Sequence, residues 1–89
     1  MSRLEDTLLE FPCRFPIKIM GANEPDFATH ACELVASHVD DLTQADVDQR
    51  VSSNGRFVAV TISIQARSKA QLDAIYRDLS ASSRVLMAL

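Results

Sequence analysis

Eighty-nine residues, 47% of them apolar and with only two Gly and three Pro, specify one small globular domain and exclude a disordered chain. Nine Lys and Arg against twelve Asp and Glu leave a net charge of −3, which argues against a general affinity for nucleic acid or anionic membrane. No apolar run approaches bilayer length, the acidic, interrupted opening MSRLEDTLLE lacks the form of a signal peptide, and the distant Cys13 and Cys32 make no disulfide framework, so a reducing cytoplasm is expected.

Residues 1–12 read as an N-terminal arm or short helix, with Leu4, Leu8 and Leu9 on one side, stopped by Phe11-Pro12. In FPIKIMG, Phe15, Ile17 and Ile19 alternate with Lys18 and Met20, the period of a half-buried strand. Pro16 cannot donate to a ladder, so regular pairing is expected from Ile17. EPDFATHACELVASHV places Phe27, Ala31, Leu34, Val35 and His38 on one helix face. Asn23 or Glu24 is expected to cap that helix, with Pro25 in its first turn.

The segment from Gln44 to Ala66 reads as a β-hairpin around Asn54-Gly55, a pair suited to the positive φ angles of a type I′ turn. Val47 and Val51 face inward on its first strand, as do Val58, Val60, Ile62 and Ile64 on its second. Gln49 falls on the inward side too, which a bulge or a frayed edge would explain. SKAQLDAIYRDLS opens with a Ser68-x-x-Gln71 capping box and carries the stripe Leu72, Ile75, Tyr76, Leu79. RVLMAL closes the chain as a strand, with Val85, Met87 and Leu89 inward and Leu86 and Ala88 outward.

The order β-α-β-β-α-β predicts an α+β fold of ferredoxin-like type. A four-stranded antiparallel sheet carries two helices on one face, as a single domain over residues 1–89.

With these elements in place, LLEFPCRFPIKIMG, SSNGRFVAVTISIQA and YRDLS followed by RVLMAL resemble the YbeD family of small bacterial proteins of unassigned function. The resemblance spans essentially the whole chain. It implies likeness to ACT-type regulatory modules, which bind amino acids or other small effectors where the first strand meets the first helix, usually at a subunit interface. It also implies a link to lipoate metabolism. The corresponding corner here is Gly21-Ala22-Asn23-Glu24-Pro25-Asp26, with Asp26 where ACT modules commonly have glycine. Gly21, Ala22, Asn23 and Asp26 are thus candidates for a ligand site. From the residues alone, the corner reads rather as a tight turn at Gly21 and a helix cap at Asn23, since Glu24 and Asp26 would repel an anion there.

No catalytic pair stands out, and no enzyme is expected. His30 and Cys32 point about 200° apart on a helix, and His30 with Glu33 leaves too few ligands for a metal. Cys13 and Cys32 have no base placed near them by sequence. Phe57 alone, with Ala59 and Thr61 beside it, is a poor platform for RNA bases. No cofactor is expected.

Contact with another protein is the stronger reading. The surface of Arg14, Lys18, Met20, Phe57, Thr61, Ser63, Leu86 and Ala88 lies on the open side of the sheet. Asp46, Asp48 and Arg50 protect the second strand as an edge, whereas the last strand lacks such charges. It is expected either to be covered by the Leu4, Leu8, Leu9 arm or to meet a partner, a second copy included.

Overall fold

The computed structural model describes residues 10–89. The strands are β1 (Cys13–Ala22), β2 (Val47–Val51), β3 (Phe57–Ala66) and β4 (Val85–Ala88), and the helices are α1 (Phe27–Ala36) and α2 (Lys69–Ala81). A single 3₁₀ turn, Gln44–Asp46, leads into β2. All pairings are antiparallel in the order β2-β3-β1-β4, so the two helices cover one face of a ferredoxin-like sheet as expected. Residues Leu4, Leu8 and Leu9 lie outside the described residues.

Alternation builds the core. Ile17 and Ile19 of β1, Val58, Val60, Ile62 and Ile64 of β3, Phe27, Ala31 and Val35 of α1, and Leu72, Ile75 and Leu79 of α2 form one buried cluster. Burying each large apolar side chain contributes about 1.5–3 kcal/mol, so β1 and β3 and the two helix stripes supply most of what offsets chain entropy. Val39, three residues past the end of α1, also enters the cluster. His38, expected on the helix face, instead stands beyond the helix and meets Asp78 at 2.6 Å.

Ser68 caps α2 by accepting from the Gln71 backbone N–H at 3.1 Å. The Gln71 side chain does not return to the Ser68 N–H, so the expected capping box is not closed. Its Oε1 accepts from the Arg67 N–H, and its Nε2 donates to the His38 carbonyl, so the start of α2 also ties down the segment after α1. Ser68→Ala is expected to cost about 0.5–2 kcal/mol and Ser68→Gly only a few tenths, read from urea midpoints. Equal losses for the two would show that the hydroxyl is not the capping group.

Several local expectations need correction. Pairing of β1 with β3 begins at Cys13, not Ile17. Lys18 exchanges both backbone hydrogen bonds with Leu89 on the β4 side. The nitrogen of Pro16, two residues earlier, therefore turns toward that same margin, where β4 does not reach and no donor is needed. The hairpin is not type I′, because Gly55 alone has a positive φ, at 75°. Its loop is wider. The Gly55 N–H donates to the Ser52 carbonyl, the Phe57 N–H to Ser52 Oγ, and the Arg56 N–H to Asn54 Oδ1. Asn54 thus serves as a side-chain acceptor rather than as a left-handed residue.

At the outer edge, β2 pairs with β3 without a bulge, and Val51 is 46% exposed. Its inward side is poorly covered because α1 presents the small Ala28, Cys32 and Ala36 toward it. They leave an open groove of about 640 Å³, lined also by Leu42, Val47 and Gln49. Gln49 is compatible with this edge because its side of β2 opens to water.

The bulge lies at the other edge. Ile19 pairs with Ala88 and Met20 with Met87, but Gly21 pairs with Val85, which leaves Leu86 as the extra residue. The shift reverses the expected facing beyond it. Ala88 sits opposite buried Ile19 on the helix side and packs against the core, so it does not belong to the open face as expected. Met87 and Leu89 leave the expected core and stand 50% and 64% exposed.

Candidate functional site

Two regions come from the sequence, the Gly21–Asp26 corner and the open face of the sheet. At the corner, Gly21 is buried against Phe27. A Cβ built there would lie 2.4 Å from the Phe27 ring and 2.7 Å from the Arg84 carbonyl oxygen. Asn23 does not cap α1. Its Nδ2 donates to the Gly55 carbonyl at 3.0 Å, and its N–H donates to the Arg56 carbonyl, fastening the corner to the hairpin.

The helix starts at Phe27 after Asp26, whose side chain makes no capping hydrogen bond. The two acids have another role. Arg84, in the turn before β4, donates to Asp26 at 2.7 Å and to Glu24 at 2.9 Å, while its guanidinium lies 5.9 Å from the centre of the Phe27 ring. The Arg84 hydrogen bond holds the Asp26 carboxyl below the usual carboxylate range, and the same contact raises Arg84. Ala22 is exposed at the end of β1. The corner's side chains are therefore engaged with Arg84 and the hairpin, and Phe27 fills the approach to Gly21. Arg84, whose spacing from the corner gave no sequence signal, is the residue missed.

On the open face, β-sheet register brings the proposed contact residues together. Lys18 lies opposite Thr61, Met20 opposite Ala59 and Met87, Ala22 opposite Phe57, and Pro16 opposite Ser63. Thr61 and Ser63 are half-buried between neighbours, whereas Phe57 is 42% and Leu86 62% exposed. Met20, Ala22, Phe57, Ala59, Leu86, Met87 and Leu89 thus gather at the end of the sheet where β1 leaves for α1. Single exposed apolar residues need no explanation, but a contiguous group does. Toward the opposite end the face turns polar, and Arg14 pairs with Asp46, whose carboxyl that contact lowers.

The remaining chemistry-bearing groups serve the fold. His30 Nε2 shares a 2.8 Å hydrogen bond with Ser82 Oγ, and His38 Nε2 meets the Asp78 carboxylate, each tying α1 or its continuation to α2 or its end. Both cysteines are free, and burial pushes the Cys32 thiol up, away from thiolate. Among the described residues, no three His, Cys, Asp or Glu side chains stand close enough to hold a metal, and no helix is long and apolar enough to cross a membrane.

The fold is shared with a solved structure. The solution structure of protein HP0495 from H. pylori superposes with a TM-score of 0.70, covering 100% of this chain and 93% of that one, at 14% identity. At that identity the likeness concerns the fold alone. The family model described as "Protein of unknown function (DUF493)" matches residues 6–89. The chain belongs to this family. Among its relatives, a UPF0250 protein of Chromobacterium violaceum is 47% identical over 89 residues, all of both chains. The UPF0250 protein NE1487 of Nitrosomonas europaea is 38% identical over 85 residues, covering 96% of this chain and 98% of its own. The sequence resemblance to a small bacterial family of unassigned function is thereby shown. The family description assigns no activity.

Proposed function

We propose that this DUF493 chain is a non-enzymatic regulatory or adaptor module of the cytoplasm, acting by protein contact through the open face of its sheet and the adjoining β4. The observation that carries this reading is the clustering of Met20, Phe57, Leu86, Met87 and Leu89 on one end of the face that the described residues leave uncovered, with the last four between 42% and 64% exposed. A small domain that leaves this much contiguous apolar surface in water loses the stabilisation that burial would supply, and association restores it. The contribution of β4 is mainly its side chains. Its short length and its bulge make it a poor template for a continuing ladder.

Leu86→Lys tests the proposal. Leu86 is exposed and makes no core contact, so the variant is expected to fold with an unfolding midpoint close to that of the parent. It is also expected to lose captured partners, or the dimer if the partner is a second copy, in affinity capture and light scattering. A parent that is monomeric, with a variant that still retrieves every partner of the parent, would refute the reading.

A further inference from the structure

We infer that the occupant of the open face is an amphipathic helix of a partner protein whose apolar stripe is bordered by carboxylates, an inference that rests on the protein-contact reading above. The footprint comes first. The apolar group spans β3, β1 and β4, about 10 Å from the first strand axis to the last, and runs from Ala22 to the level of Lys18, roughly 14 Å along β1. An α-helix is about 10–12 Å across, and two to three of its turns match that length. A flat extended peptide would lay unpaired N–H and C=O groups on methionine and phenylalanine side chains, whereas a helix brings its backbone already bonded. Met20 and Met87, at the centre of the group and directly opposite each other, have the unbranched side chains that adjust to an incoming ridge.

Charge selects among helices. Lys18 stands at one end of the apolar group, Arg50 opposite Ala59 on its β2 side, and Arg56 next to Phe57 at the hairpin. None of these three side chains has an ion-pair partner among the described residues. With Arg14 and Asp46 paired to each other, Asp48 is the one carboxylate of the β2 side set against them. At the corner, Glu24 and Asp26 are both held by Arg84. A chain with a net charge of −3 thus borders its apolar face with cations. Carboxylates flanking a leucine stripe complement that border, and lysines would meet like charge.

Two synthetic helical peptides test this, identical in their leucine stripe, one bordered by glutamates and the other by lysines. Each is titrated into the full-length protein while the methionine methyl signals are followed. The glutamate peptide is expected to bind roughly ten-fold more tightly, the sum of three partly screened ion pairs. It should move the Met20 and Met87 signals, lose its advantage in high salt, and lose it again in a Lys18→Glu, Arg50→Glu variant.

Equal binding of both peptides would overturn the charge selection and leave the protein-contact reading standing. Binding of neither, or perturbation of the groove beside α1 instead, would overturn the inference outright. So would shielding of the Met20 and Met87 methyls from a soluble paramagnetic agent in the free protein, since the face would then already be covered by a second copy or by residues 1–9. Failure of the broader reading shows separately, as partner capture that Leu86→Lys leaves unchanged.

Discussion

Phe27→Ala is expected to remove about 3–5 kcal/mol of folding stability, the largest loss anticipated for a single substitution in this chain. The ring is 1% exposed and is the largest of the fully buried side chains. It opens α1, lies under Gly21 of β1, and carries the Arg84 guanidinium above it, so its removal loosens three parts of the fold together. A domain of this length has roughly 4–13 kcal/mol in total, at about 0.05–0.15 kcal/mol per residue, so the variant would be near the margin of folding. Urea unfolding followed by circular dichroism measures it. A loss below about 1 kcal/mol, with an unchanged dependence on urea, would mean that the ring does not occupy the centre of the packing.

Gly21→Ala should also destabilise, against the usual sign for glycine in a strand. In a strand interior, alanine normally gains about 0.5–1 kcal/mol by restricting the unfolded chain. Here the new methyl would lie 2.4 Å from the Phe27 ring and 2.7 Å from the Arg84 backbone oxygen. The ring is closely packed and the oxygen belongs to the main chain, so neither yields cheaply. A net loss of about 1–3 kcal/mol is expected, and the melting temperature should fall by roughly 4–8 °C for each of those kcal/mol.

The two sites should also be coupled. Shortening the ring with Phe27→Leu is expected to cost less in the Gly21→Ala background than in the parent, by about 0.5–3 kcal/mol. Additive losses would show that the methyl and the ring do not compete for one space. Because Gly21 has this packing role, a loss of effector response in a Gly21 variant could not by itself identify the corner as a ligand site.

The limits of the sequence reading are physical. Ser68 with Gln71 marked the start of α2, and alternation in β1 and β3 marked the core, because capping and pleating are local. Asn54-Gly55 located the hairpin, yet its type depended on how Ser52 and Asn54 side chains bonded the loop, which composition does not specify. Period two assigned Gln49 to the correct side of β2. It could not say that α1 leaves that side open, although the small Ala28, Cys32 and Ala36 at four-residue spacing were a usable signal. One bulge at Leu86 was enough to exchange Met87 and Ala88 between open face and core, since a single inserted residue inverts every facing beyond it. The corner needed Arg84, which is 60 residues beyond Glu24 and meets it only through the crossover.

The irregularity at Leu86 limits how far an apolar last strand can recruit others. A straight, greasy terminal ribbon invites another to lie alongside it, then another, with no natural end to the series. A wrinkle in that ribbon spoils the register after a residue or two and turns the oily side chains broadside, so any such stacking breaks off before it can propagate.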